Sequence, residues 1–119
     1  MHARSRADAG AATAELALGI PLLVALTAGL VWMLAVGAAQ VRVVDASREA
    51  ARAVARGDDP SSAEAVALRI APDGARVRIE VAADEVSVTT SARISGPGGL
   101  LAVLPGVTVS ADAVALVEE

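Results

Sequence analysis

Uncharged and mostly apolar residues form one long block near the start of the chain. The 26 residues from Leu16 to Val41 carry no charge. As a helix rising about 1.5 Å per residue, the block would reach about 39 Å, which exceeds the roughly 30 Å hydrocarbon core of a bilayer. The pattern therefore predicts a membrane-spanning helix, over about residues 16–39.

Two residues inside the block predict local features of this helix. Pro21 lacks an amide donor and leaves a carbonyl free one turn earlier, which predicts a kink. Trp32 is the only aromatic residue, and Trp favours the membrane–water interface, so the lipid-buried part is expected to end near Leu34. Packing of an apolar ring with no anchoring role is the alternative for Trp32.

The helical pattern continues beyond the block as far as Gly57, which is a good helix terminator. Its apolar stripe is predicted at Val41, Val44, Ala51, Val54 and Ala55. Arginines recur at four-residue spacing at positions 48, 52 and 56, and Glu49 is expected to pair with Arg52. A solvated helix face and contact with lipid headgroups both account for these arginines.

The remaining residues predict a short helix and three strands. Ser61 and Glu64 match a capping box before a helix over 62–70, which can cover one face of a sheet. Apolar residues alternate with polar ones in 76–81 and 86–94, which predicts a hairpin, and 107–115 predicts a third strand. A short apolar turn or helix is expected over 100–104. The serines and threonines of the strands are expected on the solvent face.

Composition argues against several classes of function. The chain of 119 residues has no Cys, all ten of its basic residues are Arg, and its net charge is −4, which does not favour nucleic acid as a partner. His2 has no catalytic neighbour in sequence, and no nucleophile or phosphate-binding motif is present. Acids at 58, 59 and 64 are interpreted as ordinary loop and helix-start residues. We expect no enzyme activity, no metal and no cofactor.

Glu15 lies directly before the uncharged block. A carboxylate is costly in a membrane, so a carboxylate at this position indicates a functional role. A basic leader ends at Gly10, and Glu15 is the fifth residue after it. This run resembles the processing site of type IV prepilins, which a membrane peptidase cuts after the Gly. Glu15, Ala17, Leu18 and Pro21 match the Glu–x–Ala–Leu–x–x–Pro run of the TadE-like minor pilins of tight-adherence (Tad, Flp) systems.

The resemblance implies cleavage between Gly10 and Ala11 and assembly roles for Glu15 and Pro21. It implies a pseudopilin of the bacterial cytoplasmic membrane, with a cytoplasmic N-terminus, that later enters an extracellular pilus or the cell surface and serves adhesion. The implied partners are the prepilin peptidase, pilin and minor pilin subunits, the Tad inner-membrane assembly platform and the lipid bilayer. Leu16 departs from the Glu-Tyr pair usual in major pilins of these systems, which favours a minor subunit.

Two other interpretations remain open at this level. Gly37-Ala38-Ala39 before Gln40 fits an ordinary signal-peptide cleavage site, which would release a secreted binding domain. A single-span membrane protein with no fibre is the second. Two arginines precede the helix and four follow it closely, which opposes a cytoplasmic N-terminus under the positive-inside rule. The orientation therefore rests on the resemblance.

The sequence as a whole predicts an α+β protein with three parts. Residues 1–10 form a prepilin leader, residues 11–56 a long helix that spans the membrane, and residues 57–119 a small extracytoplasmic head. The head is expected to contain the short helix and a three-stranded antiparallel sheet.

Overall fold

The computed structural model describes residues 2–97 and 105–118. The elements, in chain order, are α1 (His2–Ala55), α2 (Pro60–Ile70), β1 (Arg76–Val81), β2 (Glu85–Ile94) and β3 (Val107–Leu116). The α+β architecture predicted from the sequence is confirmed. Residues 100–104, for which a short turn or helix is expected, lie outside the described residues.

The chain divides into two compact units, Met1–Met33 and Leu34–Glu119. The first unit consists of the N-terminal part of α1, which is already helical at His2 and continues through Pro21. The second unit contains the remainder of α1, together with α2 and the sheet. The kink expected at Pro21 stays a prediction, and so does the division into leader, spanning helix and head.

The three strands pair in the order β1-β2-β3, and both pairings are antiparallel. Val77 lies opposite Thr90 and Ile79 opposite Val88 in the first pairing. In the second pairing Val88 lies opposite Ala113 and Ala92 opposite Val109. The predicted hairpin, the apolar face of its strands and the third strand are therefore confirmed. Side chains two apart lie on one face of a strand, so one sheet face is mostly apolar.

The apolar face of the sheet packs against both helices within the second unit. Val86 and Val88 are fully buried and share one core with Ala46 and Ala50 of α1 and with Ala67 of α2. A smaller core joins Ala39 and Val43 to Ala92 and Val109. Cover by α2 is thus confirmed, but α1 supplies a larger share of the core. A core built almost entirely from Ala and Val lets the helices approach the sheet closely.

The predicted apolar stripe of α1 is wrong at Val41, which is 60% exposed, whereas Val43 is fully buried. Buried positions recur at alternate spacings of four and three residues, at 39, 43, 46, 50 and 53. Val41 is two residues, or about 200° of helix rotation, away from both Ala39 and Val43, and therefore points to the opposite side. Ala51, Val54 and Ala55 are buried as expected.

A buried polar contact joins α1 to the sheet. Ser47 and Thr90 are both fully buried, their Oγ atoms are 2.7 Å apart, and Ser47 Oγ lies 3.0 Å from the carbonyl oxygen of Ala111. Because a hydroxyl has one proton, Ser47 can donate to Ala111 while Thr90 donates to Ser47. The expectation that all strand hydroxyls face solvent is wrong at Thr90, because this partner satisfies it inside the core.

Gly57 ends α1 as the sequence predicts, with a positive φ of 102°. Its N–H donates to the carbonyl of Val54 at 2.9 Å, and the N–H of Asp58 donates to that of Ala53 at 3.0 Å. This pair of bonds is the Schellman arrangement, which satisfies carbonyls that have no partner within the helix. The N–H of Glu118 donates to the carbonyl of Ala55 at 3.0 Å and ties the end of the described chain to the same turn.

The predicted capping box of α2 is wrong, because the helix begins at Pro60 and its N-cap is Asp59. Proline suits the first helical position, where its missing N–H costs nothing, and this moves the start ahead of Ser61. The Ser61 hydroxyl instead donates to the carboxylate of Asp59. At the other end of α2, Nε of Arg42 donates to the carbonyl of Ile70 at 3.1 Å, where a cation is also favoured by the helix dipole.

The ion pair expected between Glu49 and Arg52 is replaced by another. Among the residues that the structure describes, Glu49 pairs with Arg56, with 4.0 Å between Oε1 and Nη2. Arg56 also lies 3.8 Å from the carboxylate of Asp58. Arg56 thus joins the last turns of α1 to the loop that follows. All three groups are partly exposed, so the pairs contribute little to stability.

Candidate assembly helix

The first part of α1 exposes an apolar surface within its own unit. The large apolar side chains exposed by more than half their area include Leu16, Leu18, Ile20, Leu22, Leu23, Val24, Leu26, Leu30 and Val31. α1 is long and apolar enough to cross a membrane, and only 6% of its most apolar 18-residue window is buried. The core helix of a soluble protein would be mostly buried. An exposed apolar surface of this kind suits lipid or other apolar helices.

Glu15 lies at the start of this apolar surface, within regular helix and exposed. Among the described residues it takes part in no ion pair. Ala11 precedes it by four residues, so the two positions lie on the same side of the helix, about 6 Å apart along its axis. Thr13, between them, is satisfied locally, because its Oγ1 donates to the carbonyl of Ala9 at 2.9 Å.

Within the described part of the chain, Gly10 has no steric reason to be glycine. A Cβ built on Gly10 would meet no atom within 4 Å, and the same is true of Gly19. Glycine inside a helix costs about 1 kcal/mol relative to alanine. Each of these glycines therefore weakens the helix without relieving any contact in the described structure. No contact in the described structure requires glycine at position 10.

Pro21 and Trp32 both lie within the helix. Pro21 cannot donate a backbone hydrogen bond, and it stands six residues beyond Glu15. Trp32 is half-buried, and its Nε1–H is buried with no hydrogen-bond partner in the described part of the chain. Both interpretations of Trp32, packing of an apolar ring and anchoring at the water interface, stay predictions.

The sequence model of a family described as TadE-like protein matches residues 10–52. We call residues 10–52, which are similar to this family, the TadE-like segment. The match begins at Gly10 and includes Glu15 and Pro21, as the resemblance in the sequence indicated. No curated protein and no solved structure shows significant similarity to the chain.

The TadE-like segment and the exposed apolar helix support the same coarse conclusion. Together they fit a membrane-anchored protein associated with a Tad pilus system. The segment also extends beyond the apolar surface, as far as Arg52, and thus includes Ala39, Val43 and Ala46 of the two cores. The matched region therefore contributes residues to both compact units.

Proposed function

We propose that this protein is a minor pilin, or pseudopilin, of a Tad-type type IV pilus. The observation that carries the proposal is the TadE-like segment beginning at Gly10, on a helix whose apolar side chains are exposed. The helix is held first by lipid and then by the apolar helices of other pilin subunits. The role is structural and needs no catalysis, metal or cofactor.

Processing after Gly10 explains a glycine that the fold does not need. A peptidase must reach the bond between Gly10 and Ala11, which lies inside regular helix. Local unwinding has to precede cleavage, and glycine lowers its cost because it is a poor helix former. A larger side chain would both stiffen this turn and clash within a site shaped for glycine. The prepilin peptidase is the proposed enzyme partner.

Cleavage would supply a positively charged partner for Glu15. The new α-amine on Ala11 lies one helical turn before the carboxylate of Glu15, so the two can pair within one chain or between neighbouring subunits. An opposite charge within a few ångströms offsets much of the cost of holding a carboxylate at the membrane boundary. In the proposed assembly step, this pair draws the subunit from the Tad platform into the growing fibre.

The packing of the second unit disfavours a signal peptide that ends at Ala39. Ala39 is buried with Val43, Ala92 and Val109, and Val36 packs against the same cluster. Removal of residues 1–39 would strip Val36 and Ala39 from this core. The Nε2 of Gln40 also donates to the carbonyl of Ser110 at 3.2 Å. In addition, α1 continues without a break through residues 39 and 40. A protein that retains α1 keeps the core intact.

We propose that the N-terminus is cytoplasmic and that residues 57–119 lie outside the cytoplasmic membrane. Four arginines after the apolar block oppose this orientation. Two of them have structural partners, since Arg42 bonds to Ile70 and Arg56 pairs with Glu49 and Asp58. Protease added to wall-stripped cells should digest a C-terminal tag. Full protection of that tag would refute the orientation.

Four variants separate processing from assembly. Gly10→Val should keep the leader, whereas Gly19→Val should be trimmed normally, because neither site has a neighbour within 4 Å and only Gly10 adjoins the proposed bond. Glu15→Ala should be trimmed at least in part, stay in the membrane, and be lost from fibres sheared off the cells. Asp8→Ala removes a carboxylate that cleavage discards, and should leave incorporation unchanged.

Gel mobility reports trimming, and recovery of the subunit in sheared fibres reports incorporation. If Gly10→Val is trimmed as completely as Gly19→Val, the proposed processing site is wrong. Incorporation of Glu15→Ala as efficient as that of Asp8→Ala would overturn the assembly role of Glu15. N-terminal sequencing of the membrane protein should begin at Ala11, and a start at Gln40 would favour the secreted domain.

A further inference from the structure

The outer face of the sheet carries an arginine cluster that the proposed assembly role does not use. Arg76 and Arg78 lie two residues apart on β1, and Arg93 lies on β2. Arg76 is opposite Ser91, so Arg93 is its diagonal neighbour across the strands, at about 7–8 Å between backbones. We call Arg76, Arg78 and Arg93 the arginine face. All three side chains are exposed.

Two neighbouring cavities open onto the arginine face, with volumes of about 290 Å³ and 480 Å³. The smaller is lined by Gly74, Arg76, Ser91, Ala92, Arg93 and Thr108. The larger is lined by Arg76, Val77, Arg78, Thr89, Ser91 and Ser110. Arg76 and Ser91 line both cavities. Each lining combines guanidinium and hydroxyl donors, and neither lining contains a carboxylate.

The positive charge of the arginine face is not neutralised within the described chain. None of its three arginines forms an ion pair with a described residue, although the protein as a whole has a net charge of −4. Two acids share this outer face, Glu80 two residues beyond Arg78 on β1 and Asp112 opposite Thr89 on β3, but neither lines either cavity. Like charges at neighbouring positions of a sheet repel each other. An anion between them would remove this repulsion.

Gly106 leaves room for the Arg93 side chain beside its backbone. A Cβ on Gly106 would lie 2.8 Å from Nε and 3.1 Å from Cγ of Arg93, and 3.1 Å from the carbonyl oxygen of Ile94. The Arg93 side chain therefore rests against the bare backbone of residue 106.

We propose that the arginine face binds an acidic polysaccharide. Guanidinium groups match the geometry of carboxylate and sulfate groups, and the Ser and Thr hydroxyls can bond to sugar hydroxyls between them. The larger cavity is within the size range of small-molecule sites. Nucleic acid is disfavoured, because the chain is acidic overall and the sheet has no aromatic side chain on which bases could stack.

Binding can be measured with the full chain in nonionic detergent micelles, and needs neither trimming nor a fibre. The probes are alginate, dextran sulfate, neutral dextran and double-stranded DNA, each immobilised for biolayer interferometry. The unaltered protein should bind alginate or dextran sulfate, more weakly as salt rises, and should not bind dextran. Replacing all three arginines by glutamine should lower the affinity by at least about tenfold.

A matched control changes Arg48, Arg52 and Arg69 to glutamine, which alters the net charge equally on exposed helix positions. This control should bind as the unaltered protein does. Should the triple variant of the arginine face misfold, as judged by amide exchange in β2, Arg76→Gln alone should still weaken binding severalfold. The proposal is overturned if the control loses as much affinity as the triple variant, or if Arg76→Gln binds as tightly as the unaltered protein. Stronger binding to DNA than to either acidic glycan would also overturn it.

Discussion

Ser47→Ala tests whether the buried hydroxyl pair joins α1 to the sheet. The substitution removes the Ser47 Oγ, which lies 2.7 Å from Oγ1 of Thr90 and 3.0 Å from the carbonyl oxygen of Ala111. Both Ser47 and Thr90 are fully buried, so water cannot replace the lost partner. An unsatisfied buried polar group costs about 1–3 kcal/mol, and we expect a loss of about 2 kcal/mol in unfolding free energy.

Thr90→Val alone should cost less, about 1 kcal/mol, because Ser47 can still donate to the carbonyl of Ala111. Combining the two substitutions should cost less than the sum of the single changes, since the valine leaves no hydroxyl in need of a partner. The double-mutant cycle then measures the coupling directly.

Amide hydrogen exchange of β2 in the full chain, followed by mass spectrometry in micelles, is the suitable assay. Near-ultraviolet signals report poorly on this unit, because the chain has no Tyr or Phe and its one Trp lies in the first unit. A loss of about 2 kcal/mol corresponds to about thirtyfold faster exchange. Ser87→Ala, on the outer side of β2, is the control and should change exchange less than threefold or so. Equal effects of the two serine changes, or full additivity in the cycle, would refute the reasoning.

Two further changes test the sheet register and the end of α1. Val88→Asp places an unpaired charge at a fully buried site and should cost at least about 3 kcal/mol of unfolding free energy. Thr89→Asp, on the outer face opposite Arg78, should be tolerated. Equal chemical-denaturation midpoints for the two variants would show that the faces are misassigned. Gly57→Ala forces a side chain into a backbone with φ of 102° and should cost about 1–2 kcal/mol. In thermal melts, Arg56→Ala at the adjacent exposed position should cost less, and the reverse order would contradict the Schellman assignment.

α1 serves two environments, and the chemistry of its residues changes accordingly. Leu16, Leu22 and Leu30 leave large side chains exposed in the first unit. From Ala39 onward, the buried positions are Ala, Val and one Ser, small enough for a sheet to pack against the helix. Deletions designed to release a soluble head should therefore keep residues from at least Val36, because a cut at position 40 removes part of the smaller core.

The sequence by itself determined the elements and the nature of the first helix. The 26 uncharged residues predicted a helix suited to lipid or to other apolar helices, and the run from Gly10 to Pro21 indicated the similarity to the TadE-like family. Strand ranges and faces also followed from local pattern, because the alternation in 76–81 and 86–94 is unambiguous. Gly57 ended α1 because its φ is a local property of the backbone.

Tertiary structure alone decided which side of α1 packs and where polar atoms find partners. In an Ala-rich helix several stripes are equally apolar, so Val43 and Val41 cannot be distinguished until the sheet lies against one of them. The pairing of Ser47 with Thr90 joins residues 43 apart, and that of Arg42 with Ile70 joins residues 28 apart. The arginine face likewise exists only because the antiparallel register sets β1 beside β2. Contacts between distant residues depend on how elements pack, which local pattern does not specify.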